Sequence, residues 1–392
     1  MTKKLIHSVI PAILLTLAVG SIYAFSLFVD PISTAIGATT IQTQFAFSLG
    51  IFFLGMGAAF FGPLVEKNIK AATVLGTVLF LLGFAVSQQA VLLKNIWLLY
   101  VGYGCIIGTA TGIIYISPVK TMMLWFKNNP GIASAVSIIS FGFGASLCSV
   151  LFKYLYPMFG IEKIFYAFAA VYAVMMVVGS LLLKKPFCSQ NLVFAGKNKD
   201  DFSRFKLMKE DSWCRRAWLF MFLNISAGLA LIGCAASILR EIGMSQNTIV
   251  MIVALMGVLN TAGRFVFAWF ADLLKEKKLL LWLVIPALSV VVLVPSVFSM
   301  SLIVVPLVLI PALYGAGFST CPSILSNKYG MKHISTIHGM VLSAWGVAGL
   351  VGNQIAANIF KYTGSYSILP IVLGVIYAII FLNTQAMRKQ SA

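Results

Sequence analysis

Apolar residues fill twelve long stretches of this chain, and polar residues gather in the shorter segments between them. Each stretch has roughly 20 residues, the length that an α-helix needs to cross a bilayer, and lacks the alternation of a β-strand. A helix also satisfies its own backbone polar groups in lipid. The pattern therefore predicts an all-α membrane protein with twelve transmembrane helices, here called spans 1–12. Their predicted bounds are 6–29, 43–65, 71–90, 96–120, 131–154, 162–183, 215–239, 247–271, 279–298, 301–325, 336–359 and 364–384.

One polar segment, residues 186–214, is longer than the others and separates two groups of six spans. The two halves also share a plan: GYGCIIGTATGIIYISP and GIASAVSIISFGFGA correspond to LYGAGFSTCPSILS and GMVLSAWGVAGLVG. Such repeats are typical of transporters, in which two similar bundles move about a site held between them. We predict two pseudo-symmetric six-helix bundles, at 1–185 and 215–392, joined by a linker loop at 186–214.

The composition supports a membrane protein and explains the net charge. Hydrophobic residues make up 60% of the chain and charged residues 10%, whereas soluble proteins are about 25% charged. A net charge of +18 could suggest nucleic acid, but 22 of the 28 Lys and Arg residues fall on the side of the membrane that holds the N-terminus. Basic loops mark the cytoplasmic side. We therefore expect a multi-pass protein of the cell membrane, with both termini and the linker in the cytoplasm, and no nucleic-acid partner.

Several classes of function lack support in the sequence. A phosphate loop, a zinc-protease motif and a clustered set of His, Cys and Asp are all missing, so we expect no enzyme, no cofactor and no metal. The six cysteines are scattered, which favours reduced structural thiols. A sensor usually carries an added soluble domain, and an exporter of cations often uses a buried acid. The sequence predicts neither feature, so both classes lack support. A carrier built from two bundles needs no second chain, so we expect a monomer.

One permanent cation, Arg264, lies inside a span, in the stretch LNTAGRFVFAWFAD of span 8. It precedes Asp272, at the predicted membrane boundary, by eight residues, or about 12 Å of helix. A cation left in hydrocarbon costs at least ~2.5–3.5 kcal/mol, and all ten acidic residues fall at span ends or in loops. The position predicts a solvated cavity or an arriving carboxylate, which matches the guanidinium fork. The structural alternative is a side chain that reaches up to the headgroups.

Polar and aromatic residues at helical spacing accompany this arginine. Asn260 lies one turn before Arg264 on the same face, where it could bind an anion or bond another helix. Tyr314 and Phe318 share that spacing in span 10, and Tyr115 lies near the end of span 4. From the residues alone, each aromatic side chain is more often a packing residue than a ligand.

The chain resembles the oxalate:formate antiporter family of the major facilitator superfamily, which includes bacterial monocarboxylate transporters. The resemblance implies two six-helix bundles, a central cavity near the middle of the bilayer, and alternating access. It implies that Arg264 binds the substrate carboxylate and that Asn260, Tyr115, Tyr314 and Phe318 surround the anion. Tyr23 in span 1 and Phe141 in span 5 are further candidates. The matching stretches are SIYAFSLFVDPI, FSLGIFFLGMGAAFFGPLVEK, SPVKTMMLWFKNNPGIASAVSIISFGFGA, FLNISAGLALIG, NTAGRFVFAWFADLL and HGMVLSAWGVAGLVGNQIA.

Span 11 bears on the charge of the substrate. Where the resemblance to the oxalate exchanger places a lysine, this chain has Trp345, in SAWGVAG. One buried cation balances one carboxylate, whereas a dianion would leave a charge uncompensated in a medium of low dielectric constant. The sequence therefore predicts a monocarboxylate such as lactate, pyruvate or formate. A packing role for Trp345 is the alternative.

The predicted function is secondary active transport of small monocarboxylates by alternating access. The resemblance to proton-linked carriers favours symport, with Asp30 near the outer end of span 1 or His338 near the inner end of span 11 as proton sites. The alternative is an anion exchanger of the oxalate:formate type, in which a carrier with an uncompensated Arg264 reorients poorly when empty. The remaining hypotheses are export of another solute and a membrane protein that does not transport.

Overall fold

The computed structural model describes residues 2–186 and 204–390, so most of the predicted linker, residues 187–203, lies outside the described residues, as does Cys188. Helices make up nearly all of the described chain, which contains no β-strand, and the predicted all-α fold is confirmed. The helices long and apolar enough to cross a membrane are Leu5–Ala24, Thr40–Lys67, Ile69–Leu92, Ile96–Trp125, Pro130–Leu182, Ser212–Glu241, Asn247–Leu273, Leu279–Phe298, Met300–Tyr329, Ile334–Thr363 and Leu369–Lys389.

Spans 5 and 6 together form the 53-residue stretch Pro130–Leu182, which breaks at Gly160. Gly160 has φ 59° and ψ −178°, a conformation that is essentially restricted to glycine. The helices on either side, 130–159 and 161–182, are each long enough to cross a bilayer. The described residues therefore contain the twelve predicted spans, carried by eleven apolar helical stretches.

Polar side chains start several spans by accepting hydrogen bonds from backbone N–H groups that the helix leaves unpaired. Before span 2, the Thr39 hydroxyl accepts from Gln42 N at 3.2 Å, and Gln42 Oε1 accepts from Thr39 N at 2.9 Å. Asn68 Oδ1 accepts from Ala71 N at the start of span 3, and Asp211 Oδ1 accepts from Trp213 N at the start of span 7. Because these polar residues interrupt the apolar pattern, the predicted bounds fall within five residues of the observed ones.

The described helices form two compact units. The first comprises Met1–Asp201 and Tyr329–Gly346, and so contains spans 1–6 and the beginning of span 11. Small residues bring its helices together: a Cβ on Gly20 of span 1 would lie 2.0 Å from the carbonyl oxygen of Phe141 in span 5. Such backbone contact is a common means of packing helices in a membrane.

The second unit comprises Phe202–Lys328 and Val347–Ala392, with spans 7–10, span 12 and the remainder of span 11. Its core includes Phe220 of span 7, stacked on Trp282 of span 9 with ring centroids 4.0 Å apart. Trp282 Nε1 donates to Thr320 Oγ1 in span 10 at 3.0 Å. Aromatic stacking and this hydrogen bond thus join three spans around one buried tryptophan.

Large aliphatic and aromatic side chains are exposed along the outside of the spans. Val258 is 63% exposed, Leu382 is 66% exposed and Phe298 is 85% exposed. Soluble proteins seldom show apolar surface of this extent, whereas a lipid-facing surface requires it. The chain is therefore a multi-pass membrane protein.

Candidate functional site

Arg264 is buried in span 8, with 7% of its surface exposed. Its Nε donates to Asn260 Oδ1, one turn earlier, at 2.9 Å. Its Cζ lies 5.6 Å from the ring centroid of Phe318 in span 10. The amide and the aromatic face hold the guanidinium plane without contributing a negative charge. The hydrogen bond to Asn260 therefore fixes the orientation of the guanidinium plane beside span 10.

Two glycines make room for this arginine between spans 8 and 10. A Cβ on Gly315 would lie 2.6 Å from Asn260 Oδ1 and 3.0 Å from Arg264 Cγ. A Cβ on Gly263 would lie 2.1 Å from the carbonyl oxygen of Ala312. A Cβ cannot lie within 3.0 Å of these atoms without a shift, so Gly315 allows Arg264 to lie along span 10 and Gly263 allows the two spans to approach.

The second unit brings together four residues predicted from the sequence: Asn260, Arg264, Tyr314 and Phe318. Tyr314 and Phe318 pack edge to face, with ring centroids 5.2 Å apart. The Tyr314 ring also lies against Gly228 of span 7, where a Cβ would be 2.3 Å from Tyr314 Cδ2. Spans 7, 8 and 10 thus form one cationic and aromatic group.

The other predicted aromatic residues form a cluster in the first unit. Tyr115 contacts Phe141 and Trp345, with centroids 5.2 Å and 5.5 Å away. Trp345 also lies 5.8 Å from Phe141 and 6.3 Å from Tyr23. Phe141, Tyr115 and Trp345 are fully buried. Four spans, namely 1, 4, 5 and 11, therefore contribute one ring each.

The two predicted proton sites have opposite environments. His338 is 2% exposed in span 11, its ring 6.4 Å from that of Tyr115, and its Nε2 has no hydrogen-bond partner among the described residues. It shares a narrow pocket with Lys120 and Ser335. Asp30 is instead exposed, in the helix Ser26–Ile36. His338 is the candidate that adjoins the aromatic cluster.

Sequence reasoning missed a buried ion pair in the first unit. Glu66, at the end of span 2, pairs with Lys120 of span 4, whose side chain is 6% exposed. The same carboxylate accepts from the backbone N–H groups of Ser335 and Thr336, in the first turn of span 11. A carboxylate at a helix N-terminus is favourable because unpaired N–H groups and the helix dipole converge there. The signal in the sequence was Gly62-x-x-x-Glu66, a spacing that does not reveal the partners.

A second missed residue is Asn224 of span 7, which is fully buried. Neither atom of its amide has a hydrogen-bond partner among the described residues. The amide lies against the bare backbone of Gly317, where a Cβ would be 2.5 Å from Nδ2. A lone asparagine in FLNISAGLALIG was the only sequence signal for this position.

Lys278, just before span 9, shows how burial acts on a cation at a span end. It is 7% exposed, and its Nζ donates to Ser323 Oγ at 2.9 Å. Burial lowers the pKa of this amine, while nearby Asp272 and Glu276 act in the opposite direction. Lys120, Arg264 and Lys278 are thus all buried cationic side chains.

Comparison with known proteins places these features in a family. The family model described as Major Facilitator Superfamily matches residues 10–353. The chain is 24% identical to an uncharacterized MFS-type transporter, YhjX, from Escherichia coli strain K12, over 88% of this chain and 85% of the relative. It is 19% identical to the oxalate:formate antiporter of Oxalobacter formigenes, over 95% and 90% of the two chains. It is 21% identical to human monocarboxylate transporter 14, over 81% and 77%.

The fold agrees with this assignment. The crystal structure of the Major Facilitator Superfamily transporter FucP in its outward conformation matches with a TM-score of 0.73 and 17% sequence identity, and the match covers 96% of this chain and 97% of that one. The family match, the twelve apolar spans and this structural likeness agree, and the resemblance inferred from the sequence is confirmed. This chain belongs to the Major Facilitator Superfamily.

Proposed function

We propose that this transporter carries small monocarboxylates across the membrane by alternating access, with Arg264 as the residue that binds the substrate carboxylate. The observation that carries the proposal is the Arg264 guanidinium, buried in span 8 and held through Nε by Asn260. A guanidinium fork matches a carboxylate in two parallel hydrogen bonds. A charged side chain inside a membrane span is expensive and is usually retained for function.

Two relatives support a carboxylate as the substrate. Their names assign oxalate and formate to one and monocarboxylates to the other. The distance in sequence is large, so the residues of this chain must decide between them. At position 345, where the resemblance implies a second cation for oxalate, this chain has a tryptophan packed among Tyr23, Tyr115 and Phe141. An aromatic ring there adds no charge, which favours a monoanion such as lactate, pyruvate or formate.

Exchange of anions is the second candidate mechanism, and the match to the oxalate:formate antiporter over 95% of this chain favours it. Uptake into proteoliposomes separates the two. With an inward proton gradient and no internal anion, we expect labelled L-lactate to enter, and unlabelled pyruvate and formate to compete. Uptake that requires preloaded anion would establish exchange, and stronger competition by oxalate than by pyruvate would contradict the inference from Trp345. If no carboxylate enters or exchanges, the proposed function is wrong.

We propose symport with a proton, and His338 as the residue that receives it. His338 is buried, adjoins Tyr115 and has an unbonded Nε2, whereas Asp30 is exposed. Its charged neighbours are Lys120, in the same pocket, and Glu66, which pairs with Lys120 and bonds the backbone beside His338. An imidazole can take up and release a proton near neutral pH, which suits a transient proton site.

Replacing His338 with glutamine tests this assignment, because the amide keeps a polar side chain of similar size but binds no proton. We expect lactate uptake by the variant to lose most of its dependence on the proton gradient, while exchange of labelled for unlabelled lactate persists. The matched control is His7→Gln, at the start of span 1, where the histidine bonds the carbonyl of Leu182. Gradient-driven uptake that is unchanged in His338→Gln would exclude His338 as the proton site.

The sidedness of the protein is also part of this proposal. The distribution of lysine and arginine supports a cytoplasmic location for both termini in the cell membrane. The proposed mechanism requires a single chain.

A further inference from the structure

Four lysines line one groove of the first unit, where spans 2 and 6 end and span 3 begins. Lys67 is the last residue of span 2, Lys70 lies in the first turn of span 3, and Lys184 and Lys185 follow span 6. The groove has a volume of about 460 Å³, and Asn68, Ile69 and Leu183 complete its lining. We call these seven residues the lysine groove.

The charges at the lysine groove are not balanced by the residues that line it, because none of them is a carboxylate. Lys70 Nζ donates to the carbonyl oxygen of Leu181, and Lys185 Nζ donates to that of Glu66, each at 3.3 Å. Both acceptors are neutral. The Glu66 carboxylate is already paired with Lys120. Burial lowers the pKa of Lys185, as expected for a cation that loses water without gaining an anion.

An apolar seam begins next to the lysine groove and extends along the outside of the unit. Span 3 packs against span 6 there, with Thr77 Oγ1 and Ser180 Oγ 2.8 Å apart. Aliphatic side chains of both spans are exposed on either side of this contact, from the turn next to the groove toward the middle of the membrane. They are Val74, Val78, Val177, Val178 and Leu181, each between 40% and 58% exposed.

We propose that the lysine groove binds the headgroup of an anionic phospholipid whose acyl chains lie along this seam. A phosphate diester supplies the negative charge that four lysines lack, and basic pockets at a span end are suited to such headgroups. The apolar seam favours a lipid over a free phosphate ion, which would gain nothing from exposed valines. The general excess of lysine on one side of the membrane accounts for their number but does not require four of them to converge on one groove.

Retention of lipid by the purified full-length protein tests the proposal. The protein is taken from nanodiscs of phosphatidylglycerol and phosphatidylethanolamine in equal amounts, and bound lipids are counted by native mass spectrometry. The test variant is Lys70→Gln/Lys184→Gln. Each lysine near an anionic surface contributes about five-fold in affinity, so we expect about 25-fold weaker retention of phosphatidylglycerol by this variant.

Two matched variants separate the groove from general electrostatics. Lys70→Arg/Lys184→Arg keeps the charge and should retain lipid as the native protein does. Lys153→Gln/Lys163→Gln removes two exposed lysines elsewhere in the first unit and should also leave retention unchanged. Equal retention by Lys70→Gln/Lys184→Gln and the native protein would overturn the proposal. It would also be overturned if inorganic phosphate alone stabilised the protein against heat as strongly as phosphatidylglycerol, because the groove would then be a site for a free anion.

Discussion

Uptake of labelled lactate at low concentration is expected to fall about 30-fold or more when Arg264 is replaced with lysine. Lysine keeps the charge and much of the length, but it lacks the planar fork and Nε, which bonds Asn260 Oδ1 in the structure. Loss of one partner from a buried, charged hydrogen-bonded pair costs about 2–5 kcal/mol, which corresponds to this range of affinity. Initial uptake rates over a series of lactate concentrations measure the effect, and KM should rise.

Arg240→Lys is the matched control. Arg240 is exposed at the end of span 7, so this substitution makes the same chemical change outside the site. Its uptake should stay within about two-fold of the native value. Both proteins should be monodisperse and should melt at similar temperatures, so that a loss of transport reflects binding rather than folding. Native transport kinetics in Arg264→Lys would show that the arginine supports packing and that another residue binds the anion.

The second large effect is expected on stability, from Glu66→Ala. The change leaves Lys120 buried without its carboxylate and removes the acceptor of two N–H groups at the start of span 11. Breaking a buried ion pair on one side costs about 3–5 kcal/mol, and loss of a helix cap adds to that. We expect a clear decrease in the temperature of thermal unfolding in detergent, measured by intrinsic fluorescence.

A double-mutant cycle identifies the cause of that decrease. Lys120→Met alone should also destabilise the protein, because Glu66 would then lack its cation. The double variant Glu66→Ala/Lys120→Met should be more stable than the sum of the two single changes predicts, since neither charge remains. Glu162→Ala, at an exposed position in the first unit, is the control and should change the free energy of unfolding by less than about 0.5 kcal/mol. Additive effects of Glu66 and Lys120 would contradict the pair.

The sequence predicted the spans well because apolar length and positions of charge report directly on the bilayer. The importance of Arg264 could also be predicted from the sequence, since a cation in an apolar span is unusual in any membrane protein. Its bond to Asn260 follows from helical spacing, and the structure shows the atoms that make it. The helix break at Gly160 could not be predicted from the sequence, because one glycine among many does not reveal a positive φ angle.

The partners of distant residues were the part that could not be predicted. Glu66 and Ser335 are separated by 269 positions, and no local pattern connects a carboxylate in one span with the N-terminus of another. The aromatic cluster could not be predicted for the same reason, since each of its rings comes from a different span. These rings are Tyr23, Tyr115, Phe141 and Trp345. Asn224 was overlooked because a single polar residue in an apolar helix does not indicate whether it has a partner.

The setting of Trp345 gives the protein an optical reporter. Its indole is 1% exposed and lies between two tyrosine rings and one phenylalanine, so its emission should occur at the short wavelengths of a dry environment and should receive excitation from Tyr23 and Tyr115. The chain has seven tryptophans, and the difference between the spectra of the native protein and a Trp345→Phe variant isolates this one. The emission wavelength and intensity of Trp345 then report on the packing of four spans without an attached dye.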